Sequence, residues 1–113
     1  MAYANFKRNS GKNISFVPVA QGAAGTTVLI VADPAKKHSV VSSFLVMDAA
    51  GTLKFTDGAG DLTGAMSIAL SAGFVLPPGV NNYFETSGVN QALNLVTTTG
   101  KAAGVVAIIS EAV

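Results

Sequence analysis

Short apolar runs rich in Val, Ile and Thr recur along this chain about every ten residues, separated by turns that carry glycine, proline or aspartate. Within several runs apolar and polar side chains alternate. Leu53 and Phe55 stand against Thr52, Lys54 and Thr56, and Met66, Ile68 and Leu70 against Ser67, Ala69 and Ser71. A period of two places one set on each side of an extended strand, so each such run needs a partner layer for its apolar side. No stretch combines the 3.6-residue period of a helix with good helix formers and caps. The expected fold class is therefore all-β: an antiparallel β-sandwich, jelly-roll-like, of roughly eight or nine strands.

The runs can be placed in order. ISFVPVA at 14–20 reads as a strand in which Pro18 marks an edge or a bulge, and GAAG at 22–25 as the turn after it. TTVLIVA at 26–32 is apolar on both sides, the pattern of a strand in the middle of a sheet or beneath a neighbour. DPAKK at 33–37 breaks it, with Pro34 suited to the second position of a turn. HSVVSSFLVMD at 38–48 and TLKFTDG form the next strands, the latter as a half-buried hairpin partner. FVLPPG ends the alternation that begins at Met66, and ALNLVTT at 92–98 and AAGVVAIISEA at 102–112 complete the set around a TGK turn. Residues 1–13 read as a flexible N-terminal arm, and 14–113 as a single β-sandwich domain, long enough to fold on its own core.

Charge is scarce. Only 12% of the 113 residues are charged while 50% are hydrophobic, and an ordinary soluble domain carries about 25% charge. Part of the outside is therefore expected to be covered by copies of the chain or by a larger assembly. Residues 1–40 hold Lys7, Arg8, Lys12, Lys36 and Lys37 against Asp33, whereas the remainder holds Asp48, Asp57, Asp61, Glu85 and Glu111 against Lys54 and Lys101. That split suits layered packing against a partner of opposite sign, or is a scatter of solvated charges. It lacks the dense basic stripe with stacking aromatics that nucleic acid demands. The longest apolar runs, Val28–Ala32 and Phe44–Met47, fall far short of the roughly 20 residues of a membrane helix, and MAYANFKRNSGKN has no apolar signal core. A soluble protein with no membrane partner is expected. Without cysteine, neither a disulfide nor a thiolate metal site is available.

Residues equipped for chemistry are few. His38, the one histidine, is expected to be a solvated turn residue rather than a base. Asp57-Gly58-Ala59-Gly60-Asp61 reads as a hairpin turn with acidic flanks, because the further oxygen ligands of a calcium loop are missing. Gly22-Ala23-Ala24-Gly25-Thr26-Thr27 lacks the lysine and the following helix of a phosphate loop. Glu85 and Glu111 are too far apart in sequence to be paired by inspection. No catalytic residue, metal or cofactor is expected, and an enzyme is not. Tyr83 and Phe84, after the stiff Leu76-Pro77-Pro78-Gly79 segment, point to opposite sides of their strand, one packing inside and the other meeting a neighbour or solvent. The last strand, with Val105, Val106, Ala107, Ile108 and Ile109, reads either as a central core strand or as one whose second side lines an oligomer contact. Tyr83, Val105, Ala107 and Ile109 are thus the candidate oligomer residues.

From MSIALSAGFVLPPG through NNYFETSGVNQALNLV to AAGVVAIIS, roughly residues 64–111, the chain resembles short tailed-phage virion proteins that decorate or cement the capsid. Phe84, Glu85, Thr86 and Ser87 stand at that family's aromatic-Thr-Ser turn, and Ala92 to Leu95 at its Ala-Leu-Asn-Leu strand. The resemblance implies a small sandwich module, often a homotrimer, bound to the major capsid protein on the outer capsid surface of the virion after synthesis in the host cytoplasm. Under that reading Phe6, Lys7, Arg8 and Lys12 are the candidate capsid-binding strap over an acidic neighbour, with a frayed terminus as the plain alternative. A receptor- or glycan-binding module of a tail or fibre is the second class, with Tyr83 as its stacking residue.

Overall fold

The computed structural model describes residues 14–78 and 82–112. Among them the regular structure is all strand, and the pairing is nested like two limbs of a long folded hairpin. The first strand, β1 (Ile14–Ala20), pairs with the last, β10 (Ala102–Ala112), and β2 (Thr26–Ile30) pairs with β9 (Leu93–Thr98). Next, β3 (Lys36–Met47) takes both β7 (Gly73–Leu76) and β8 (Phe84–Glu85), and β4 (Gly51–Asp57) takes β5 (Gly60–Asp61) and β6 (Met66–Ile68). The limbs then wrap, bringing β10 against β3 and β9 against β4. Two five-stranded antiparallel sheets result: sheet A, ordered β1-β10-β3-β7 with β8 beside β3, and sheet B, ordered β2-β9-β4-β5 with β6 beside β4. This is an antiparallel β-sandwich with jelly-roll connectivity.

The inner sides of the sheets share one core. Val40, Leu45, Met47, Val106 and Ile108 from sheet A meet Leu53, Phe55, Leu93 and Leu95 from sheet B, all buried. Phe55 lies against Phe84, ring centroids 4.9 Å apart, and Phe74, 5.9 Å apart, so sheet B reaches both short strands on the edge of sheet A. At the opposite edge the connection from β1 to β2 changes sheets and is held by one side chain. Gln21 Nε2 donates to Gly25 O (3.1 Å) and Thr27 Oγ1 (2.9 Å), while its Oε1 accepts from Thr97 Oγ1 (2.7 Å) and the Ala102 amide (2.9 Å).

Several elements depart from the expected pattern. TTVLIVA is not central: β2 is an edge strand, leaving Val28 55% and Val31 71% exposed. Its double-sided apolarity fits a central strand and an uncovered edge equally well, since periodicity does not report neighbours. Leu70 lies beyond β6 and is exposed, and the segment read as the end of the alternation forms β7. The two-residue strands β5 and β8 carry too little periodicity to be visible. Pro18 does sit in an edge strand, and a proline there turns its nitrogen, which lacks a proton, toward the open side.

Where β10 crosses β3, Gly104 has φ +147°, and a Cβ on it would lie 1.9 Å from the Phe44 carbonyl oxygen. Close approach of the two central strands thus depends on glycine here. Gly104→Ala is expected to lower unfolding free energy by about 2–3 kcal/mol in urea titration. Gly22→Ala, which would meet nothing within 4 Å, should change it by less than about 1 kcal/mol.

Candidate functional site

The two outer sides of the sandwich differ in chemistry, and the difference follows from strand register. On sheet B the outward rows run Thr26-Val96-Lys54, Val28-Asn94-Thr56-Asp61 and Thr98-Thr52-Ser67. Hydroxyls, an amide and the Lys54–Asp61 ion pair (3.1 Å) make this side wettable. On sheet A the rows run Ala20-Ala103-Val46-Gly73, Pro18-Val105-Phe44-Val75 and Phe16-Ala107-Ser42. No charged residue belongs to them. Phe16 is 70% exposed, Val75 55% and Phe44 53%. Ion pairs lie at the two ends of the sheet instead, Lys37–Glu85 (3.1 Å) at one and Lys101–Asp48 (3.6 Å) at the other. An apolar centre with a charged rim is the anatomy of an interaction surface.

Of the residues singled out from the sequence, Val105, Ala107 and Ile109 all lie on the outer side of sheet A. Val105 is half-buried, whereas Ala107 and Ile109 are buried within the single chain, in a small cluster with Val41. Tyr83 stands elsewhere, before β8, exposed, with its amide donating to Val40 O (2.9 Å) and its hydroxyl to Pro77 O. Phe84 packs inward on Phe55, so the two aromatics do point apart. Phe6, Lys7, Arg8 and Lys12 lie outside the described residues. The charge split between chain halves is partly neutralised within the fold, because Lys37 of the first half pairs with Glu85 of the second. Sequence reasoning missed Phe16, Phe44 and Val75. Strand alternation marks each as outward only after the sheet is assigned.

The Phe-Glu-Thr-Ser segment serves as a clasp, each residue with its own partner. Phe84 fills the core, Glu85 meets Lys37, and the buried Thr86 hydroxyl accepts the His38 amide (3.1 Å) and donates to Gly88 O (3.2 Å). Ser87 reaches sheet B, donating through its amide (2.7 Å) and hydroxyl (2.8 Å) to Asp57 Oδ2. Asp57 Oδ1 accepts the Ala59 (2.7 Å) and Gly60 (3.0 Å) amides across the Asp-Gly-Ala-Gly turn. Burial raises the Asp57 carboxyl, but the Ser87 amide, the Ser87 hydroxyl and the Ala59 and Gly60 amides together hold it below the ordinary aspartate range.

His38 corrects the expectation of a solvated turn residue. It lies inside β3, 2% exposed. Its Nε2 donates to Val31 O (2.9 Å), since a carbonyl can only accept, and in the neutral ring Nδ1 accepts the Ser110 hydroxyl (2.6 Å). A cavity of about 350 Å³, lined by Ser15, Val31, Asp33, Lys36, His38 and Ser110, opens beside the pair. With one ring nitrogen on the Val31 carbonyl and the other on the Ser110 hydroxyl, the side chain is a tie between β10 and the β2–β3 connection. Among the described residues no group of three His, Asp or Glu side chains could hold a metal ion, and no helix is long and apolar enough to cross a membrane. Comparison with protein-family models, curated proteins and solved structures finds no match.

A carboxylate held below its unfolded value stabilises the fold above the unfolded pKa, near 3.9, and loses that contribution as pH falls through the folded value. Acid titration should therefore destabilise the protein progressively below about pH 4. Asp57→Asn should cost about 2 kcal/mol at neutral pH and flatten that acid dependence, read by urea unfolding at several pH values. A second outcome concerns Thr86→Val, which leaves the buried His38 amide without its acceptor. It should lower unfolding free energy by about 1–3 kcal/mol in the same assay.

Proposed function

We propose that this protein is a structural virion subunit that decorates and cements a tailed-phage capsid, bound across the major capsid protein as an oligomer. The observation that carries the reading is the unlike chemistry of the two outer sheet sides. A module with one wettable, Thr-rich side and one apolar side with a charged rim suits a part with a covered and an exposed aspect. The likeness over residues 64–111 supplies the kind of assembly, and the clasp at 84–87 explains its residues as structural. Scarce charge and a polar inventory engaged in holding turns and sheet crossings add support.

The mechanism is linkage. A subunit that binds the assembled shell and not its dispersed components stabilises the shell by mass action. Joining several footprints in one oligomer multiplies weak contacts, provided their spacing matches the lattice. Phe6, Lys7, Arg8 and Lys12 supply a basic, partly apolar segment that such a footprint could use against an acidic neighbour.

Purified protein mixed with undecorated shells of its own phage and pelleted should sediment at a fixed copy number per capsid subunit and raise the temperature of shell disruption. Neutralising Lys7, Arg8 and Lys12 together should weaken attachment and flatten its salt dependence without lowering the melting temperature of the free protein. Protein that stays in the supernatant at all salt concentrations would overturn the proposal and turn attention to receptor or glycan binding.

A further inference from the structure

The exposed part of the outer side of sheet A has a definite relief. Phe16 on β1 and Phe44 on β3 stand on either side of β10, Phe16 level with Ala107 and Phe44 level with Val105, and the small Ala103 follows one outward position beyond. The flanking strands are separated by two strand spacings, roughly 9.5 Å, which makes a shallow trough between two aromatic ridges. Val75 continues the ridge of Phe44 onto β7. Phe16, Phe44 and Val75 are all more than half exposed, and Pro18, Ala20 and Ala103 are exposed beside them.

From these residues we infer that the outer side of sheet A is covered by the same side of another copy of this chain, sheet against sheet. The inference deepens the assembly reading above and rests on it only in taking assembly as the role of the protein. Three observations select a second copy. First, Phe16, Phe44 and Val75, each more than half exposed, adjoin the exposed Pro18, Ala20 and Ala103 in one apolar patch of the kind that marks an interaction site. Second, the relief is self-complementary: an aromatic ridge of one copy fits the small-residue trough of the other, at the spacing of about 10 Å usual for stacked sheets. Third, the patch contains no charge that would select a charged partner, and the bordering Lys101–Asp48 and Lys37–Glu85 pairs are already neutralised within each chain. Pro18 meanwhile withholds a donor from the open edge of β1. Growth by edge pairing is thereby disfavoured relative to stacking of faces.

The test is the mass of the full chain in solution by light scattering, with circular dichroism confirming that each variant is folded. The wild-type chain should weigh two chains, since a face that meets its own copy closes as a two-fold pair, and a mass of three chains would overturn the inference. Phe44→Asp should weaken association by more than about thirtyfold and give single chains. Val75→Asp, at the sheet edge where the fold tolerates it more easily, should act in the same direction if Phe44→Asp fails to fold. Val28→Asp on the outer side of sheet B should leave the mass unchanged. A wild-type chain that is monomeric would overturn the inference, as would an oligomer indifferent to both sheet A variants. So would a monomer that associates only after residues 1–13 are removed, which would assign the face to the chain's own N-terminal segment. Shell pelleting separates the two readings. An oligomer dependent on Phe44 that ignores shells leaves this inference standing and removes the capsid role, whereas a monomer that pellets with shells does the reverse.

Discussion

Everything in this fold rests on burying the inner side of one sheet against the other, because the chain has no covalent means of holding them. There is no cysteine and little charge. Phe55 is the centre of that contact. Fully buried in β4, it meets Phe74 of β7 and Phe84 of β8, so a single ring on sheet B fixes the two short strands that finish the edge of sheet A. Strands of four and two residues have too few ladder hydrogen bonds to be stable alone, and their position follows from this aromatic packing. Removal of the ring would leave a void between the sheets where those two strands are anchored.

Polar groups then secure what burial alone leaves free to slide. Gln21 bonds to both sheets where the chain crosses between them at one edge, and Ser87 ties the clasp segment to Asp57 at the other. His38 links Ser110 on the last strand to the carbonyl of Val31. Each tie closes a gap of many residues, which is expected where the first strand pairs with the last and most contacts are distant in sequence. Asp57 and His38, two of the described residues equipped for chemistry, are thereby engaged in holding the fold.

The outer sides show how one construction rule yields two surfaces. Both sheets alternate, but on sheet A the outward positions are filled by Phe16, Phe44, Val75 and Val105, and on sheet B mainly by threonine and paired charge. Sandwiches ordinarily leave the outward side polar. Sheet A departs by gathering Phe16, Phe44 and Val75 onto one surface, while Val28, Val31 and Leu70 are exposed elsewhere.

The all-β class, the places of most strands, the edge position of Pro18, the opposed directions of Tyr83 and Phe84 and the turn at Asp33 were determined by local pattern, because period and turn chemistry act within a few residues. The sequence also marked the last strand as apolar on both sides, and β10 is so, with Val106 and Ile108 in the core and Ala107 and Ile109 opposite. What local pattern does not encode is who lies beside whom. The edge position of β2, the short strands recruited by Phe55, the burial of His38, the Asp57–Ser87 tie and the gathering of Phe16, Phe44 and Val75 onto one face were decided by tertiary structure. Each depends on a register between segments that loops and sheet crossings separate, and register is settled by which apolar sides can be buried together, a property of the whole chain.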